Sequence, residues 1–149
     1  MPREDEEFAV IFNDVYPNLC RFLECMLGGE AAAQDIAQES FLRLHSADGV
    51  PADGARFWLY RVARNLALNE LGKRQTRTKL IDKVADVFRR REPDPEEMLE
   101  QTERRRMLFE LLKGLPEDQR AALLLREQEE MSYGEIARVL NVSESKVKV

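Results

Sequence analysis

The sequence predicts an all-α protein of two small helical domains joined by a linker, with a helix-turn-helix in the second domain. Apolar residues recur at steps of three and four along most of the chain, and no segment shows the period of two expected of a strand. Charged residues make up 34% and aromatic residues 7%, which is typical of a helical protein. We place the first domain at residues 1–73, the linker at 74–94 and the second domain at 95–149.

The first domain begins with a helical pattern from Phe8 to Leu27, in which Pro17 is expected to end one short helix or begin another. Gly28 and Gly29 are expected to stop it. The next helix, from Ala31 to His45, has a core stripe of small and apolar side chains: Ala33, Ile36, Ala37, Ser40, Phe41 and Leu44. Its outward side carries Asp35, Gln38, Glu39, Leu42 and Arg43. A solvated face is the ordinary interpretation, although an exposed leucine among acidic and amide groups also suits a docking surface.

A third helix is predicted from Ala55 to Leu71, with Gly72 as its C-cap. Its core stripe is Ala55, Leu59, Val62 and Leu66. The opposite face combines aromatic rings with arginines: Phe57, Tyr60, Arg61 and Arg64, with Asn65 on the flank. Such a face suits nucleic acid, because guanidinium groups hold phosphates and rings stack on unpaired bases. Packing against a neighbouring helix explains the rings equally well, and this stretch alone leaves both interpretations open.

Charge is distributed unevenly along the chain. The net charge is −5, which argues against a protein that coats DNA without specificity. Between Arg56 and Arg91, however, eleven basic residues face only three acidic ones, a local charge of about +8. This asymmetry indicates one surface for a polyanion and other surfaces for different partners.

Several classes of protein are excluded by what the sequence lacks. Cys20 and Cys25, five residues apart, match no metal motif even with His45, and we expect them to be buried thiols. We find no phosphate-binding glycine loop and no nucleophile with a base, so we expect neither an enzyme nor a cofactor. No apolar run approaches the ~20 residues of a membrane span, and the acidic N-terminus has no secretory signal. We therefore expect a cytoplasmic protein without membrane insertion.

The second domain shows helix boundary signals at regular intervals. Asp94 is a suitable N-cap for a helix that ends at Gly114, and Pro116 begins the next helix. Ser132 and Glu135 form a predicted capping box. The last two helices are predicted to meet at a left-handed Asn141, with Ser143 capping the final one, and they have the spacing of a helix-turn-helix. Its expected core is Ala137 at the crossing with Ile136, Leu140, Val142 and Val147.

Three segments in this order resemble a bacterial RNA polymerase sigma factor of the extracytoplasmic-function (ECF) type. They are AQDIAQESFLRLH, FWLYRVARNLALNEL and, after the linker, LKGLPEDQRAALLLREQEEMSYGEIARVLNVSESKVKV. The resemblance covers the chain from about Phe8 onward. It implies a factor that binds core RNA polymerase, recognises promoter DNA, helps to open it, and is held inactive by an anti-sigma factor.

The resemblance also implies roles for individual residues. The surface that docks on the polymerase would be Asp35, Gln38, Glu39 and Leu42. The surface that reads and melts the minus-ten element would be Tyr60, Arg61, Arg64, Asn65, Asn69, Lys73 and Arg74, and the loop Ser46 to Gly54 would capture a flipped base. The helix-turn-helix would read the minus-thirty-five element through Ser143, Glu144, Ser145, Lys146 and Lys148.

One departure from the family concerns the last helix, which in the family continues with a basic, Arg-rich stretch. Here the sequence ends at Val149, so this truncated recognition helix is expected to make fewer phosphate contacts. Two rival interpretations remain at this point. One is a polymerase-independent helix-turn-helix regulator, which would bind duplex DNA by itself. The other is a sigma-like adaptor that binds only protein, for which Arg61 and Arg64 would be dispensable.

Overall fold

The computed structural model describes residues 5–89 and 100–148, with side chains described for residues 6–73, 103, 104 and 106–148. Within these residues the chain is helical and contains no strand, which confirms the all-α prediction. The elements are α1 (Asp5–Leu27), α2 (Glu30–Ser46), a 3₁₀ turn (Ala52–Gly54), α3 (Ala55–Arg89), α4 (Glu100–Leu112), α5 (Glu117–Glu127), α6 (Tyr133–Leu140) and α7 (Glu144–Lys148).

Helices α1 to α3 form the first unit, with a core of fully buried α1 side chains such as Leu19, Phe22 and Leu23. The expectation that Pro17 breaks this segment is wrong, because α1 runs unbroken through it. Pro17 and Asn13 both lie on the exposed side of α1. The Asn13 carbonyl that loses its helical partner can therefore bond to water, which makes the proline tolerable.

Two glycines were predicted to end helices, and they behave differently. Gly28 follows the last residue of α1 with φ +78, and its N–H donates to the Glu24 carbonyl at 2.7 Å, so the predicted stop is confirmed. Gly72 does not end α3, which continues to Arg89. A glycine inside a helix costs only about 1 kcal/mol, and the residues on either side of Gly72 are good helix formers. The predicted start at Asp94 lies outside the described residues.

Helices α5 to α7 form the predicted helix-turn-helix region. The capping box is confirmed, since the Glu135 N–H donates to Ser132 Oγ at 3.1 Å and the Ser132 N–H donates to Glu135 Oε1 at 2.9 Å. Asn141 adopts the predicted left-handed conformation, with φ 56. The Lys146 N–H donates to Ser143 Oγ at 3.4 Å, so the predicted cap of α7 is present as well.

The two units pack against each other and share one hydrophobic core. Helix α1 contacts α4 and α5, and α3 contacts α6. Leu124, Leu125 and Ile136 of the second unit belong to the same buried cluster as Leu19 and Phe22 of the first. We call this packing of the second unit onto α1 and α3 the closed arrangement.

Candidate nucleic-acid and polymerase interface

The outer face of α2 is the surface on which polymerase docking was predicted. Asp35, Gln38, Glu39 and Leu42 are all exposed, and the Leu42 side chain is 64% accessible. Glu39 pairs with Arg43 one turn later, with 3.0 Å between Oε1 and Nε. The opposite side of the helix is buried against α1 and α3, as the core stripe predicts. This packing leaves one apolar side chain, Leu42, exposed among polar ones.

Helix α3 presents to solvent a row of polar side chains that winds gradually around the helix. Arg61, Asn65, Asn69 and Lys73 follow one another at steps of four and are all exposed. Residues four apart lie on the same face of a helix, one turn above the other. The row is thus continuous over three turns. The side chain of Arg74, which was predicted to extend it, lies outside the described residues.

Tyr60 and Arg64 were predicted to share this exposed face, but both are buried. The Arg64 guanidinium forms two parallel hydrogen bonds with Glu117, from Nε at 3.1 Å and from Nη2 at 3.0 Å. It also pairs with Asp118, so that only 9% of its side chain is accessible. Sequence periodicity could not reveal this, because the covering residues belong to α5, more than 50 positions along the chain.

Tyr60 lies in a second contact between the units, around Glu129 in the turn after α5. Its ring packs edge-on against Phe22, with 5.4 Å between centroids. Burial first, and the nearby Glu129 carboxylate second, raise the pKa of Tyr60 well above its usual range. Arg21 approaches that carboxylate at 3.2 Å, and Arg56 donates to the Glu129 backbone carbonyl at 2.7 Å.

Five of these residues were not singled out by sequence reasoning as parts of a site: Arg21, Arg56, Glu117, Asp118 and Glu129. In the sequence, Arg56 is one cation of the basic segment, and Glu117 and Asp118 stand at the start of a predicted helix. Glu129 precedes Glu130, which adopts the left-handed conformation with φ 54 in the turn after α5. Nothing in the local sequence indicates that its carboxylate is buried.

The helix-turn-helix presents its predicted DNA-reading residues on α7 and at the residue that caps it. These residues, Ser143, Glu144, Ser145, Lys146 and Lys148, are all exposed. Lys148 lies 3.5 Å from Glu144 one turn earlier, and Lys146 lies 3.9 Å from Asp118, which also pairs with Arg64. Acidic groups of this unit therefore lie beside cations of both predicted DNA surfaces.

The cysteines and histidine do not form a further site. Cys20 and Cys25 are buried thiols, as expected. Among the side chains that the structure describes, no group of three or more His, Cys, Asp or Glu could hold a metal ion. In the same part of the chain, no helix combines the length and apolar character needed to cross a membrane.

Comparison with known families accounts for both units. The family model described as sigma-70 region 2 matches residues 11–77, and the one described as sigma-70, region 4 matches residues 105–149. The ECF RNA polymerase sigma factor SigM of Bacillus subtilis is 30% identical over 149 residues, spanning 97% of this chain and 85% of SigM. The chain belongs to the ECF family of RNA polymerase sigma factors. Region 2 thus corresponds to α1, α2 and most of α3, and region 4 to the helices from α4 onward.

Other ECF sigma factors show the same similarity. SigX of Bacillus subtilis is 30% identical over 152 residues, with 97% of this chain and 77% of SigX covered. The sigma-E factor of Salmonella typhimurium LT2 is 35% identical over 117 residues, covering 72% of this chain. The chain spans about three-fifths of the length of that sigma-E factor, 61%. The residues predicted to contact polymerase and promoter DNA all lie within the two matched regions.

Proposed function

We propose that this ECF sigma factor docks on core RNA polymerase through the outer face of α2 and recognises promoter DNA through α3 and α7. The observation that carries the proposal is the exposed row on α3, Arg61, Asn65, Asn69 and Lys73. A sigma factor has no covalent chemistry of its own to perform, so its function depends on surfaces of this kind.

The composition of the α3 row suits an opened DNA strand. Successive members lie about 6 Å apart along the helix axis. The two cations at its ends, Arg61 and Lys73, can hold phosphates, and the two asparagines between them can bond to base edges. Arg64 and Tyr60 extend this surface sideways and add a further guanidinium and a ring for stacking. In the closed arrangement Arg64 is covered by Glu117 and Asp118 of α5, and Tyr60 is buried beside Phe22 of α1 and Glu129 of the turn after α5.

The outer face of α2 suits a protein partner better than DNA. Asp35 and Glu39 would repel phosphates, whereas they can pair with cations of a protein surface. Leu42, exposed among them, supplies the apolar contact that interface centres require. We assign this face of α2 to the polymerase. We assign α7, which has a small set of exposed polar side chains, to the minus-thirty-five element.

A further protein partner is supported by apolar side chains on the second unit. Met107, Leu111 and Leu123 are exposed on α4 and α5. An open, largely apolar groove of about 710 Å³ lies among α5, α6 and α7. Apolar surfaces of this kind mark protein contacts, and we propose that they serve polymerase and an anti-sigma factor in turn. The protein would work in the cytoplasm, where polymerase and chromosome are found.

Transcription in vitro tests the proposal directly. Core polymerase is incubated with genomic DNA fragments with and without the protein, and the 5′ ends of new transcripts are sequenced. We expect transcripts that start at a shared promoter sequence only when the protein is present. Transcripts identical in the two reactions would contradict the proposal.

A matched pair of variants tests the docking face. Leu42→Asp should weaken binding to core polymerase at least about tenfold, because it places a charge at the centre of a desolvated contact. Val10→Asp is the control, since Val10 is an equally exposed apolar residue on α1, 60% accessible against 64% for Leu42. Equal losses in both variants would refute the assignment. Tight, specific duplex binding by the chain alone would favour the polymerase-independent regulator instead.

A further inference from the structure

We infer that Tyr16 of α1 is a positioning residue for polymerase docking, because its hydroxyl fixes the side-chain amide of Gln38 on the outer face of α2. Gln38 then meets the polymerase in an orientation that is already selected. The inference rests on the proposed function, since it presumes that the outer face of α2 binds core polymerase.

Aromatic rings set the register between α1 and α2. Phe8 lies against His45 at the C-terminal end of α2, with 5.1 Å between the ring centroids. One turn later in α1, the ring of Phe12 lies 5.0 Å from that of Phe41, which is one turn earlier in α2. The two helices therefore run antiparallel, and each further turn of α1 meets the preceding turn of α2.

Tyr16 continues this series by one turn and reaches Gln38. Its ring centroid lies 5.9 Å from that of Phe41, and Gln38 precedes Phe41 by three residues, about one turn of α2. The Tyr16 hydroxyl forms hydrogen bonds with the side chains of Gln38 and Cys20. Burial raises the pKa of Tyr16, and the bond from Gln38 opposes this shift, as expected of an amide N–H that donates to the phenol oxygen.

The Tyr16 ring is held by its neighbours, so its hydroxyl has a defined position. The ring stacks on that of Phe12, with 4.5 Å between centroids and an interplanar angle of 17°. It also makes a tilted contact with Phe41 of the facing helix. A tyrosine side chain has only two torsions to fix, so packing of this kind makes it a rigid support for a hydrogen bond.

Gln38 depends on such a support because its side chain is exposed. An interface that must order a flexible side chain binds less tightly than one whose side chains are oriented beforehand. The bond to Tyr16 uses an amide N–H of Gln38 and leaves the amide oxygen to accept from a partner. That oxygen lies on the same face as the carboxylates of Asp35 and Glu39, a combination that suits a cationic donor on the polymerase.

The test is a double-mutant cycle on the full chain, with affinity for core polymerase measured by fluorescence anisotropy. Tyr16→Phe removes the hydroxyl and keeps the ring, whereas Gln38→Ala removes the amide. We expect Tyr16→Phe to weaken binding about fivefold, and Gln38→Ala to weaken it about tenfold. The double variant should bind no more weakly than Gln38→Ala alone, because the hydroxyl then has no amide to position.

The matched control is a second cycle that uses Gln34, another exposed glutamine one turn earlier on α2. Its amide Nε2 donates instead to Glu30 Oε1, at 3.3 Å. Tyr16→Phe should therefore weaken binding by the same factor in the Gln34→Ala background as in the parent chain. Equal losses from Tyr16→Phe in the Gln34→Ala and Gln38→Ala backgrounds would overturn the inference. Urea denaturation verifies that every variant is folded under the conditions of the binding assay.

The outcomes also separate the inference from the proposed docking face. If Gln38→Ala weakens binding and Tyr16→Phe does not, the docking face stands and the positioning role is wrong. If Leu42→Asp weakens binding and Gln38→Ala does not, the face stands without Gln38 and the inference fails. If neither Leu42→Asp nor Gln38→Ala weakens binding, the docking face is wrong and the inference fails with it. A loss from Tyr16→Phe that disappears only in the Gln38→Ala background supports both.

Discussion

Gly28, at the end of α1, lies directly against the ring of Phe109 in α4. A Cβ atom at Gly28 would approach the ring carbon Cε1 of Phe109 to 2.6 Å, closer than such atoms come in proteins. A glycine is therefore required at position 28 for two reasons. It leaves room for the Phe109 ring, and it adopts the φ of +78 with which the helix ends. Both the turn between α1 and α2 and the contact between the two units depend on the absence of a Cβ atom at Gly28.

Substitution of Gly28 should consequently loosen the closed arrangement without changing any charge. Gly28→Ala incurs the strain of a left-handed alanine, about 1–2 kcal/mol, and in addition displaces the Phe109 ring. Gly49→Ala is a matched control, since Gly49 has φ +79 and open space where its Cβ would lie. We expect a larger loss of stability in urea and a larger radius of gyration for Gly28→Ala. Equal behaviour of the two variants would show that Phe109 adapts freely.

The shared core predicts a contrast between neighbouring leucines of α5. Leu125 is fully buried in the core common to both units, whereas Leu123 is 42% accessible. Leu125→Ala should lower the free energy of unfolding by about 2–5 kcal/mol, and Leu123→Ala by less than about 0.5 kcal/mol. Urea denaturation followed by circular dichroism measures both. Similar values for the two would contradict the burial assigned to Leu125.

Two glutamates should give stability profiles of opposite slope with pH. Burial raises the pKa of Glu117 above its ordinary 4.5, although Arg64 opposes the shift, so the contribution of Glu117 to stability falls as pH rises through the range just above 4.5. The hydrogen bond from the Ser132 backbone lowers the pKa of Glu135, so its contribution develops as pH rises through the range just below 4.5.

The measurement is urea denaturation of Glu117→Gln, Glu135→Gln and the parent chain at pH values from about 3 to about 7. Relative to the parent, Glu117→Gln should gain stability as pH rises, and Glu135→Gln should lose it. Parallel profiles for all three proteins would contradict both shifts. The opposite signs make each variant a control for the other.

The exposed row on α3 predicts a salt effect on DNA binding. Arg61→Ala should weaken binding to single-stranded DNA and reduce the slope of log affinity against log salt by about 0.7, the effect of one lost phosphate contact on a single strand. Lys113→Ala removes a charge from the turn after α4, which is not part of the row, and should leave the slope unchanged. Titrations at several salt concentrations provide the slopes. An unchanged slope for Arg61→Ala would remove Arg61 from the DNA surface.

Most of the fold could be predicted from the sequence because its signals are local. The capping box at Ser132, the left-handed Asn141 and the glycine stop after α1 depend on residues within one or two turns. The predictions that Pro17 and Gly72 interrupt or end a helix were wrong for a related reason. Each has a modest local cost, which depends on solvent access and on neighbouring residues rather than on residue type alone.

The candidate site was predictable only in part. Leu42 on α2, and Arg61 and Asn65 on α3, lie where helical periodicity places them. Tyr60 and Arg64 differ because their environment is set by residues of α5 and the turn after it. A pairing between charges so distant in sequence leaves no trace in periodicity, composition or capping signals.

The contact of Glu129 with Arg21 and Arg56 is expected to couple changes in the two regions during evolution. These arginines lie 108 and 73 positions from Glu129, in a different sigma region. Loss of either would leave a buried carboxylate poorly compensated, and selection would then favour a change at position 129. In descendants of this sequence, positions 21, 56 and 129 should therefore vary together. Exchange of region 4 between related factors would succeed only where this charge match is inherited with it.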